Sequence, residues 1–134
     1  NQMCLINVKF IEQLPREDYE NITVAADIGL VSLDQRFTVP NFPSKTTDYF
    51  KLQLPILASL DNCAAQDYGY FLTDIAKAGR FDLAGDSEKL FNRYLELYSN
   101  TDLRNTLGKN GRQFYEQELD VAKACTKICQ HFEK

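Results

Sequence analysis

Apolar residues fall along this chain in short dense runs in its first two thirds and in helical stripes after that, and the change of rhythm predicts the architecture. Leu5, Ile6, Val8, Phe10 and Ile11 form a β-branched and aromatic run, which predicts a strand over residues 5–11. Pro15 then opens a helix. Its fixed φ suits a first turn, and Glu17 and Asp18 complement the positive end of the helix dipole. Tyr19, Ile22, Ala25 and Ala26 supply that helix with an apolar face, and Asp27 ends it. Ile28-Gly29-Leu30-Val31 is nearly continuous in apolar character, as expected for a parallel strand covered on both faces. Residues 33–43 contain Pro40 and Pro43 and read as a loop. It is long for a strand-to-helix connection, which favours function over mere linkage. A helix over 44–52, a buried strand over 55–58, a helix over 66–78 and a short strand over 81–84 follow. Asp86 or Ser87 reads as an N-cap, and beyond it three helices are predicted at 87–99, 101–117 and 119–133. In the last of these, Val121, Ala122, Cys125, Ile128, Cys129 and Phe132 make an amphipathic stripe.

Strands alternating with helices predict an α/β fold: a partial Rossmann-like parallel sheet with flanking helices and a helical C-terminus. The chain reads as one partial domain, with βα units over residues 1–85 and helices over 86–134.

Composition narrows the function classes. With 134 residues, 44% apolar and 25% charged, the chain can bury a real core. Its net charge is −4 and its basic residues are scattered, which argues against nucleic acid as a partner. No run of about 18 apolar residues is present, so no membrane span is expected, and no signal-peptide pattern opens the chain. Cys4, Cys63, Cys125 and Cys129 do not form a disulfide framework; they read as reduced, core or half-buried thiols of a cytoplasmic protein. His131, the single histidine, lies two residues past Cys129 and on another side of the helix, so no metal-ligand set is expected. Gly-rich phosphate loops and a G-x-S-x-G elbow are both absent.

The candidate chemistry lies in the loop at 33–43 and the helix after it. Residues 36–47 carry Arg36 and Lys45 and no acid, in a chain whose balance is acidic. A helix beginning near Ser44 points unpaired amides and its positive dipole end at that loop, a combination suited to phosphate. Ser44 and Thr46 offer hydroxyls, Lys45 a point charge and Arg36 a fork, which together fit a diphosphate. Asp48, one turn in, is placed to accept from a sugar hydroxyl. The same residues also fit a plain capped helix, with Asn41 or Ser44 as cap and Lys45 in solvent. Asp34, Asp61, Asp67 and Asp74 each have a turn or cap explanation.

The order NVKFIEQLPREDYENITVAADIGLVSL, PSKTTDYFKLQLPILAS, AGDSEKLFNRYLELYSNTDLRNTLGKNGRQFYEQ resembles the C-terminal, nucleotide-sugar-donor part of retaining GT-B glycosyltransferases of the bacterial polysaccharide and capsule type. The resemblance implies a hexosyltransferase-type enzyme at full length. It assigns the diphosphate to Ser44, Lys45 and Thr46, the ribose to Asp48 and the base to the stretch Glu12, Gln13 and Leu14. The family pattern has an acid where Pro40 stands, so no donor-sugar contact is carried over, and commonly a Gly where Gln53 stands. It implies no metal, no cofactor and no catalytic side chain in this stretch. An upstream acceptor domain and two further βα units are implied, with peripheral attachment to the cytoplasmic face of the inner membrane through the full-length enzyme. Without those units, an open sheet edge along residues 28–32 is expected, a place for a second copy to pair. The other reading is a non-catalytic α/β binding or interaction domain.

Overall fold

A computed structural model of the chain describes residues 6–132. The described residues contain six α-helices and a small sheet: α1 Arg16–Val24, α2 Lys45–Lys51, α3 Asn62–Ala64, α4 Ser87–Ser99, α5 Thr101–Phe114 and α6 Val121–Phe132. The strands are β1 Gly29–Ser32, β2 Ile56–Leu60 and β3 Gly79–Leu83. All three are parallel in the order β1-β2-β3, with Gly29 opposite Ile56 and Ile56 opposite Gly79. The α/β class and the parallel sheet read from the sequence are the observed ones.

The core is organised by β2. All five of its residues are buried, which is why its sequence shows no polar alternation. Ile56, Ala58 and Leu60 join Phe50, Leu54, Tyr68 and Leu72 on one face. Leu57 meets Leu97 of α4 and Leu107 of α5 on the other. Each such side chain contributes about 1.5–3 kcal/mol by leaving water. Two close approaches lock the layers. A Cβ on Gly108 would lie 2.1 Å from the Gln53 carbonyl oxygen, so α5 reaches the turn before β2 only with glycine there. A Cβ on Gly29 would lie 2.6 Å from the Tyr49 ring, which covers β1.

Several boundaries depart from the sequence reading. Residues 6–15 form no strand, and Ile6 and Phe10 are 98% and 93% exposed. A strand-like sequence becomes a strand only when a neighbour takes its backbone groups, and the sheet offers this segment none. Leu5 and Cys4 lie outside the described residues. The helix expected over 66–78 starts earlier, at Asn62, where the Asp61 carboxylate accepts from the Cys63 and Ala64 amides. It continues through π-helical turns at Ala65–Gly69 and Phe71–Ile75. α6 buries none of its residues, and packs against the π-helical turn Tyr115–Leu119. Cys63, Cys125 and Cys129 are accordingly free but exposed, not buried as expected. No helix among the described residues is long and apolar enough to cross a membrane.

β1 forms one edge of the sheet, as expected. The amides of Gly29 and Leu33 donate to Pro55 and Ser59 of the β2 side, so Leu30 and Ser32 direct their backbone groups outward. The Tyr49 hydroxyl donates to the Leu30 carbonyl at 3.2 Å and closes part of that edge.

Candidate functional site

In a parallel α/β sheet the helices begin where the strands finish, and ligands collect at that rim. α2, which follows β1, starts there. Its first turn is joined to that of α1 by an ion pair: Arg16 Nη2 donates to Asp48 Oδ1 at 2.6 Å. Arg16 Nε donates to Glu20 Oε1 at 2.7 Å, and Lys51 Nζ lies 3.5 Å from the same oxygen. Two cations and two carboxylates thus alternate across the α1–α2 seam.

Beside this seam, a cavity of about 360 Å³ is lined by Ile11, Glu12, Gln13, Leu14, Tyr19, Ile22 and Thr23. Its size falls within the range of small-ligand sites, and its apolar walls carry few polar groups. Gln13 and Leu14, the residues given to the base by resemblance, line it. The Arg16 guanidinium lies 5.8 Å from the centroid of the Tyr19 ring, a wall of the cavity. Thr23 is buried and its hydroxyl donates to the Tyr19 carbonyl at 2.7 Å, which fixes the floor.

The four expected diphosphate residues do not converge. Ser44 and Lys45 are exposed at the start of α2, and Ser44 makes no side-chain cap. Thr46 is completely buried, and its hydroxyl is hydrogen-bonded to Tyr68 Oη at 2.7 Å. It therefore belongs to the core and not to a ligand surface. The reason is helical spacing: Thr46 shares the buried face of α2 with Tyr49 and Phe50. The amides of Thr46 and Thr47 donate to the Pro43 and Ser44 carbonyls, so fewer than four are open at this helix start. Arg36 folds back on Asp34, donating from Nε and Nη2 to its two oxygens at 2.9 and 2.7 Å. Its side chain is 84% exposed and is taken up by this pairing.

Charge and burial set the titration of the site. The Arg16 hydrogen bond holds the Glu20 carboxyl below its ordinary range, and Arg36 does the same for Asp34. The bond to Asp48 raises Arg16 further, so it stays cationic. Burial pushes the Tyr68 hydroxyl up to about 12. At the end of β2, Asp61 is 1% exposed, with Oδ1 on the two amides and Oδ2 without a partner.

Arg16 escaped the sequence reading as a site residue, because its partner lies 32 positions away and no local pattern joins them. No protein-family model, no curated protein and no solved structure matches this chain.

Proposed function

We propose that the chain is the nucleotide-sugar-donor part of a GT-B glycosyltransferase, with the base in the Gln13–Leu14 cavity and the ribose on Asp48. The observation that carries this reading is an apolar cavity one of whose walls, Tyr19, lies beside the arginine that pairs with the Asp48 carboxylate. The diphosphate then lies over Ser44 and Lys45, with Arg36 and the Thr46 hydroxyl taking no part. In the intact enzyme a sugar passes from the nucleoside diphosphate to an acceptor hydroxyl of a glycan or lipid-linked chain. Cationic and dipolar stabilisation of the departing diphosphate supplies catalysis, and an upstream acceptor domain supplies orientation. This stretch alone binds the donor weakly and transfers nothing. The setting is the cytoplasm, at the inner face of the membrane for the full-length enzyme.

A second reading, an interaction domain without catalysis, draws on the exposed faces. Phe91, Tyr94 and Tyr98 stack along α4 at 6.0 and 5.7 Å, and the stripe of α6 is uncovered. Titration with UDP, ADP and GDP followed by amide chemical shifts separates the two. The donor reading expects shifts at residues 12–19 and 44–48, reduced about tenfold in affinity by Asp48→Asn, the value of one charged hydrogen bond. Indifference to all three nucleotides favours the interaction domain.

A further inference from the structure

We propose that a second cavity, between the loop at residues 33–43 and the helical segment after β2, binds a small organic ammonium ion. Its volume is about 320 Å³ and its walls are Pro40, Asn41, Phe42, Asp67, Tyr68 and Phe71. That is the lower end of the range for small-ligand sites, and the composition is theirs too: mostly aromatic and apolar, with one charged group. The cavity shares no residue with the one at Gln13 and Leu14 or with the Arg16–Asp48 pair, so it stands apart from the donor reading.

Three rings border the space at steep angles. Phe42 stands at 81° to Tyr68 and 61° to Phe71, with centroids 5.2 and 5.0 Å apart. Tyr68 and Phe71 run closer to parallel, at 28° and 6.1 Å. Two of these walls are set by the core. Tyr68 is 1% exposed with its hydroxyl on Thr46, and Phe71 packs against Phe50 and Phe114. Phe42 comes from the loop and is half exposed, so the third wall meets solvent. An aromatic ring is negative on its face, and rings set at angles around one space favour a cation there over an anion.

The carboxylate gives the same sign. Asp61 caps the helix start through the Cys63 and Ala64 amides, and Asp74 accepts from the Thr73 hydroxyl. Asp67 lies between them in the π-helical turn Ala65–Gly69, is exposed, and has no hydrogen-bond or ion-pair partner among the described residues. Neither a turn nor a cap accounts for it. No lysine or arginine lines the cavity to neutralise it. A hard metal ion is a poor guest, because beyond one carboxylate and the Asn41 amide the side-chain walls are mainly hydrocarbon. An ammonium ion with an apolar body suits both halves, its charge on Asp67 and its methyl or methylene groups on the rings.

The test follows amide chemical shifts of the full chain as choline and phenethylammonium are added, with neohexyl alcohol, in which carbon replaces the nitrogen of choline, as the uncharged counterpart. Shifts should fall on residues 41–42 and 66–71, and choline should bind about tenfold more tightly than the alcohol, the value of one charged contact. Asp67→Asn should remove about tenfold for choline and leave the alcohol unchanged. Phe42→Leu, which keeps apolar volume and loses the ring face, should cost choline about threefold, and Phe42→Tyr should cost little. A thermal melt checks that each variant is folded. Phosphocholine should bind more weakly than choline, because its phosphate carries charge of the same sign as Asp67. Tighter binding of phosphocholine would assign the cavity to a lipid headgroup and overturn the reading as a free ion. Equal affinity for choline and the alcohol, or an Asp67→Asn variant that keeps the native difference, would leave only an apolar gap and overturn the ligand class. No shift at these residues with either ammonium ion would overturn the proposal outright.

Discussion

Tyr68 and Thr46 make the most direct test of the packing beneath the rim. Tyr68 is 1% exposed and its hydroxyl meets a fully buried Thr46 Oγ1 at 2.7 Å. In Tyr68→Phe the ring stays and the threonine hydroxyl loses its partner, which should cost about 1–2 kcal/mol at neutral pH. The alkaline limb makes the sign distinctive. Burial raises the Tyr68 hydroxyl from 10.0 to about 12, so the folded chain retains a proton that the unfolded chain releases. That contribution is complete below pH 10 and is lost as pH rises through about 12. At about pH 11.5 the linkage relation gives a loss of about 2 kcal/mol for the native chain and none at this position for Tyr68→Phe. The stability difference between the two proteins should therefore hold steady up to about pH 10, then shrink, and vanish or change sign near pH 11.5. Urea unfolding followed by far-ultraviolet circular dichroism, at steps from about pH 7 to 11.5, reads it out. A difference that stays constant across this range would refute the assignment of a buried, hydrogen-bonded phenol.

Other predictions concern the turn before β2 and the acid limb. Gln53 has φ 58°, a left-handed conformation that costs a side-chain-bearing residue about 1 kcal/mol, so Gln53→Gly should raise the melting midpoint. Its neighbour in space behaves oppositely. Gly108→Ala drives a methyl to 2.1 Å from the Gln53 carbonyl and should cost about 1–3 kcal/mol or more in chemical unfolding. Glu20 is held below its ordinary range by Arg16, so its contribution is present above about pH 4 and lost as pH falls through the depressed value. Melting midpoints of Glu20→Gln should accordingly converge on those of the native chain as pH drops toward 2.5. The effect should be small, since the group is solvent-screened.

Much of this architecture is legible in the sequence because burial on both faces leaves an unmistakable apolar run. β2 is such a run, and α4 is capped by the Asp86 side chain, one of the two residues expected there. The strand predicted over 5–11 fails for the converse reason. Its residues have the right character, but pairing depends on a partner strand that local sequence does not reveal. The start of α3 was legible in Asp61, whose carboxylate caps it, while the π-helical turns at 65–75 leave no trace in a 3.6-residue period. β3 begins at Gly79, two residues before the apolar run that marks it, because Gly79 and Arg80 pair with Ile56 and Leu57 regardless of their character.

The candidate site divides the same way. Gln13 and Leu14 line a cavity, and Asp48 stands in the first turn of α2, paired with Arg16. Thr46 was open to correction from spacing alone, since it falls three and four residues before Tyr49 and Phe50 on the stripe that must face the core. Arg36 was not, because its partner Asp34 competes for it only once the loop has folded. The Arg16–Asp48 pair is a product of tertiary structure, bridging two helices whose relation the sequence does not state.

Hydrogen–deuterium exchange with and without saturating UDP asks the central question in one measurement. The donor-site account predicts slowed exchange at the amides of Gln13, Leu14 and Arg16 and at Lys45 and Asp48, with α6 unchanged. Equal exchange at those amides in the two conditions, for UDP and equally for ADP and GDP, would contradict it.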